Sequence, residues 1–138
     1  ASDIQQQVSA TQSALLSLKP IIVDKGLHKF DIERILNTQR ILDALGIVFE
    51  YTSDSRDTDF SEVGLAGGEY NPQLDTITIY YTDDFDSILD DGYDYDAFVM
   101  KATETIAHEL THRRQFKDRE QNYNPTDGIE SILLTQMR

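Results

Sequence analysis

His108 and His112 stand four residues apart in a segment whose apolar residues keep helical spacing, and that combination restricts the fold more than any other part of the chain. Val99, Ala102, Ile106 and Leu110 recur every three or four residues. They mark one stripe of an α-helix from about Ala97 to Arg119, with Asp96 placed as its N-cap. The two histidines fall off the stripe, toward the face shared with Lys101 and Thr105. One side of this helix must pack on a sheet or on other helices, and the other is left to His108, Glu109 and His112.

The preceding chain supplies the packing partners. A first helix runs from a cap at Ser2 or Asp3 to about Lys19, with Ile4, Val8, Leu15 and Leu18 inward and Pro20 ending it. Its Gln and Ser content makes it polar, either peripheral or packed against a partner. A second helix has Asp31 as its N-cap, buries Ile32, Ile35, Leu36, Ile41, Leu42 and Leu45, and stops at Gly46. Ile47 to Thr52 reads as a strand, and Thr76 to Thr82 is the strongest strand signal, alternating about Ile77 and Ile79. Between them, Ser53 to Ser61 is turn-like, Gly64, Gly67 and Gly68 break the chain, and Asn71-Pro72 marks a turn. The acidic run Asp83 to Asp96 is expected as loop or short helix. After a turn at Asn122 to Thr126, Asp127 to Met137 reads as a closing helix. Helices, then strands, then helices make an α+β fold, a short mixed sheet packed on the motif helix with flanking helices. The length of 138 residues suits one domain, 1–138.

His108-Glu109-Leu110-Thr111-His112 has the spacing that brings two imidazoles, one helical turn apart, to a single metal ion, with Glu109 beside them as general base. Two histidines do not complete a catalytic zinc site, which takes three protein ligands and an open position. The one other histidine, His28, lies upstream in an unusual order, so a carboxylate is expected. Asp118, ten residues after His108, would need a glycine at position 115 to turn the chain, and Gln115 stands there. Glu130 follows Asn124-Pro125 on the closing helix, placed to return antiparallel to the metal, with Asp127 as the fallback. A capping box formed by Asp127 and Glu130 is the competing account of the same residues.

This pattern, H-E-x-x-H followed by a Glu on a later helix, resembles the gluzincin group of zinc metallopeptidases. The likeness covers roughly the last half of the chain and leaves the first 45 residues unmatched. It implies a zincin-like domain that hydrolyses peptide bonds of a peptide or protein substrate. His108, His112 and Glu130 would be zinc ligands and Glu109 the general base for metal-activated water. Such domains bind the substrate backbone along an edge strand. Thr76 to Tyr81 is the candidate, with Thr76, Thr78 and Tyr80 contacting substrate by strand addition. No counterpart of the C-terminal domain that gives the group its electrophilic His is expected within these 138 residues, which leaves Tyr123, Tyr80 or Arg113 as candidate oxyanion donors. The run His-Glu-Leu-Thr-His-Arg-Arg-Gln, followed by Tyr, Pro and Glu, also resembles small peptidases encoded by bacteriophages.

Charge narrows the partners. With 25 acidic against 12 basic residues and a net charge of −13, nucleic acid and anionic membranes are disfavoured and a basic substrate is favoured. No cysteine is present, so zinc cannot be held by thiolates. No apolar run reaches membrane-spanning length and Ala1 to Ala10 lacks a leader pattern, so the chain is expected to be soluble, cytoplasmic or virion-associated. The Asp-rich run is no EF-hand, since the ligand positions ahead of Gly92 hold Ser87, Leu89 and Asp91. Gly64-Leu65-Ala66-Gly67-Gly68 lacks the lysine of a phosphate loop. The alternative function is a structural or assembly protein, for instance of a virion, that keeps a zinc site without catalysis.

Overall fold

Thr76–Tyr81 (β3) is the middle strand of a three-stranded sheet, flanked by Ile47–Tyr51 (β1) and Leu65–Asn71 (β2). The structure, a computed structural model, describes residues 3–24, 29–53, 64–83 and 92–121. β1 runs parallel to β3, with Ile47 opposite Ile77 and Phe49 opposite Ile79. β2 runs antiparallel to β3, with Tyr70 opposite Ile77 and Gly68 opposite Ile79. The period-two alternation of β3 sends Ile77, Ile79 and Tyr81 into the core and leaves Thr76, Thr78 and Tyr80 half-buried on the outer face. The expected turn after β2 is present. Asn71 Oδ1 accepts hydrogen bonds from the backbone N–H groups of Gln73 and Leu74 at 2.9 and 3.2 Å.

β2 itself departs from expectation, because its glycines read as chain breaks. Gly68 serves close approach instead. A Cβ there would lie 2.9 Å from Cγ2 of Thr105 and 3.0 Å from the Thr78 carbonyl oxygen, so only glycine lets the strand pack this near the motif helix. A register shift between Leu65 and Gly67 adds a bulge.

Four short helices precede the sheet: Ile4–Ser17 (α1), Lys19–Asp24 (α2), Lys29–Asn37 (α3) and Arg40–Ala44 (α4). Asp3 caps α1, its carboxylate accepting from the Gln6 N–H at 2.9 Å. Pro20 does not end α1. The chain turns at Leu18, and Pro20 enters the first turn of α2, where its missing N–H leaves no bond unmade. The second expected helix is split into α3 and α4, and Asp31 lies in the first turn of α3 rather than capping it. The split has a local cause. Asn37 turns its amide to the backbone of Phe49, donating to the carbonyl at 3.0 Å and accepting from the N–H at 2.8 Å. Thr38 and Gln39 both donate to the Ile35 carbonyl, and Gln39 takes an extended conformation. Gly46 then ends α4 at φ +72°, facing the Asp75 carbonyl.

Gly92–Gln121 (α5) is a helix of 30 residues, about 45 Å long. It starts before Ala97, so Asp96 is no cap; it sits inside the helix and pairs with Lys19 at 2.9 Å. The apolar stripe accounts for the earlier start, since Tyr95 and Phe98 extend it and are fully buried. Tyr95 donates to the Leu15 carbonyl, and burial pushes its phenol well above the ordinary range. α5 packs on α1 and on the inner face of the sheet, and Leu15, Ile22, Leu42, Phe49, Ile79 and Ile106 share one buried cluster. Helices and a small mixed sheet together make an α+β fold. No helix among the described residues is long and apolar enough to cross a membrane.

Candidate metal centre

Residues 105–119 of α5 carry the site. Ile106 and Leu110 face the core and hold this stretch of helix against the sheet. His108 and His112 are exposed, one turn apart, with Nε2 atoms 2.9 Å from each other and ring planes at 90°. At this distance the two nitrogens share a hydrogen bond, one donating and the other accepting according to tautomer, and the same pair could turn to one ion in its place. Zinc–nitrogen bonds of about 2.0–2.1 Å to a shared ion would subtend about 90° at this separation, and opening it by about 0.4 Å reaches the tetrahedral angle. Glu109 lies between the core and this point, 7% exposed. Ligand atoms of His108, Glu109 and His112 all fall within 4.8 Å of one another, a grouping that could hold a metal ion. Thr105, expected on the histidine face, is instead buried against Gly68, its hydroxyl donating to the Lys101 carbonyl.

α5 continues unbroken through Gln115, as the absence of glycine there requires, and carries Asp118 on along the helix, outside the His108–Glu109–His112 group. Glu130, Asp127, Tyr123 and His28 lie outside the described residues.

The strand expected to bind substrate needs correction. β3 is hydrogen-bonded on both sides, so no further strand can add to it. Thr76, Thr78 and Tyr80 face away from α5, and Tyr80 donates to Glu69 at 2.7 Å on that outer side. The strand that borders the motif is β2, an edge of the described sheet. Across an open cleft, Gly68, Tyr70 and Pro72 on the β2 side face Glu109, His112, Phe116 and Arg119 on α5. Arg113 is engaged elsewhere, donating to the Leu45 carbonyl at the end of α4.

Sequence reading missed this cleft, yet a signal for it exists. Glu109, His112, Phe116 and Arg119 recur every three or four residues, a second helical stripe beside the apolar one. Tyr70 and Phe116 meet edge to face, with centroids 6.2 Å apart, and form an apolar wall just beyond His112. Tyr70 also donates to Asp75 at 2.9 Å, and Lys117 pairs with the same carboxylate at 3.0 Å. Burial, the Asp75 hydrogen bond and its negative charge push the Tyr70 phenol up to about 12. For Asp75, burial acts upward but is outweighed. Hydrogen bonds from Lys117 and Tyr70, with the charges of Lys117 and Arg113, hold it below the usual carboxylate value.

Comparison with protein-family models, with curated proteins and with solved structures returned no match to this chain.

Proposed function

We propose that the chain is a zinc-dependent peptide hydrolase, with His108, His112 and Glu130 holding the metal and Glu109 acting as general base. The reading rests on one observation above all, the convergence of the His108 and His112 Nε2 atoms to 2.9 Å beside a buried Glu109 that opens onto a cleft. Zinc at this position supplies a Lewis acid for the peptide carbonyl and a water acidified to a pKa of about 7. Glu109 accepts the proton of the attacking water and delivers it to the leaving amine. Its burial keeps the carboxylate in a drier setting, where one hydrogen bond to the water is worth more than in bulk solvent. The β2 edge, rather than β3, offers backbone groups beside the cleft for an extended peptide.

The test is metal analysis together with peptide-library cleavage read by mass spectrometry. Protein purified without chelator should carry one zinc per chain, and Glu109→Gln should keep the zinc while cleavage disappears. Absence of zinc, or equal cleavage by wild type and Glu109→Gln, would end this reading. Exposed Leu16, Ile21 and Met100 on the helical layer favour the second reading, an assembly protein with a metal-stabilised helix. Zinc without hydrolysis of any peptide is its signature.

A further inference from the structure

We infer that Arg119 selects the substrate, by binding a carboxylate two to three residues from the bond cleaved. The inference rests on the peptidase reading and names the substrate class that this site would take. Although the chain carries net charge −13, the cations are unevenly placed. Arg113, Arg114, Lys117 and Arg119, four of the 12 basic residues, fall within seven positions just after His112. Two of them are committed, Arg113 to the Leu45 carbonyl and Lys117 to Asp75. Arg119 lines the cleft with Glu109 and His112 and is exposed; its Nε donates to the Gln115 carbonyl at 3.4 Å, which leaves the two terminal nitrogens, and it forms no ion pair among the described residues.

Distance sets the spacing. Arg119 lies seven positions after His112, about 10 Å along the helix. An extended peptide advances about 3.3 Å per residue, and the arginine side chain bends back toward the metal point, so two to three residues span the gap. Between the two ends stands the wall of Tyr70, Pro72 and Phe116, suited to an apolar side chain. A guanidinium receives a carboxylate through two parallel N–H···O bonds, and Glu109 at the other end of the cleft disfavours a second anion nearer the metal. The carboxylate can be an Asp or Glu side chain or the free C-terminus of the substrate, since both present the same two oxygens. Where overall charge suggested a basic substrate, the cleft itself suits an acidic one.

The experiment compares matched peptides on zinc-loaded full-length protein. One set carries Glu or Gln at each position within three residues of the cleaved bond, and the other ends in a free carboxylate or an amide. Wild type should favour one carboxylate-bearing peptide by about tenfold in kcat/KM, the ratio expected from one charge-assisted pair at a cleft rim. Arg119→Gln should bring that ratio to near one, Arg119→Glu should reverse it toward a Lys peptide, and Arg114→Gln should keep it. The set that responds tells side chain from C-terminus. Binding of the same fluorescent peptides to Glu109→Gln protein is measured by anisotropy. Charge-selective binding that depends on Arg119 but comes with no cleavage by wild type would remove the peptidase reading and retain the carboxylate site. Equal handling of acid and amide peptides, or a preference that survives Arg119→Gln, overturns the inference.

Discussion

The Cα hydrogen of Gly68 points at the methyl group of Thr105, so that strand β2 and helix α5 touch at a place where even a Cβ would stand 2.9 Å from that methyl. This contact sets how far the β2 edge stands from the metal point. Gly68→Ala should lower the unfolding free energy by roughly 1–3 kcal/mol, the usual cost of overpacking. Thr105→Ser removes the opposing methyl while keeping the hydroxyl bond to Lys101. The double variant should therefore recover part of the loss, a coupling readable in urea titrations. A Gly68→Ala protein as stable as wild type would show that the layers part easily.

Asn37 does for β1 what a neighbouring strand would do. Its amide meets both backbone groups of Phe49 on the side away from β3. Asn37→Ala strands a buried donor and acceptor and should cost roughly 2–3 kcal/mol, and Asn37→Asp, which sets a carboxylate oxygen against the Phe49 carbonyl, should cost at least as much. Chemical denaturation orders the three proteins. A loss under about 0.5 kcal/mol for Asn37→Ala would mean that water replaces the amide.

Metal binding to the folded state should appear as stability. Zinc at a hundredfold excess over its dissociation constant adds about 2.7 kcal/mol to unfolding, a rise of several degrees in Tm. His112→Ala should abolish the rise, and so should a chelator added to wild type. Calorimetry with and without zinc checks it; an equal rise in His112→Ala would place the ion elsewhere.

Tyr70 gives a pH signature at the far end of the cleft. Its folded pKa, about 12, exceeds its ordinary value of 10.0. The folded state thus holds a proton that the unfolded chain releases first, so the contribution is whole below pH 10 and is lost as pH rises toward 12. Asp75 works in the opposite sense, with a folded pKa below 3.8, and its contribution is lost in acid below that value. The stability gap between wild type and Tyr70→Phe should be constant to about pH 10 and narrow above it. A constant gap up to pH 12 would mean that neither burial nor Asp75 raises the Tyr70 phenol.

Strong periodicity was legible and exceptions to it were not. The stripes of α1 and α5, the alternation of β3 and the turn at Asn71 all follow from residues that act locally. β2 was hidden because its glycines are explained by Thr105, a residue far along the chain. The split at Thr38 was hidden because Asn37 finds its partner at Phe49, beyond Gly46. At the site, the H-E-x-x-H spacing announced the paired imidazoles. The wrong strand was expected beside them because alternation reports that a strand exists and says nothing of its place in the sheet.

The length of α5 has a consequence for how the protein comes into being. Its buried stripe touches α1, through Tyr95 and the Leu15 carbonyl 80 residues earlier, and it also covers the inner face of the sheet. As the chain leaves the ribosome, Ile77, Ile79 and Tyr81 and the inward side of α1 emerge with only part of their cover, from α2, α3, α4 and β1, until residues 95–110 follow. Nascent chains halted short of α5 should be the species that chaperones hold and proteases cut.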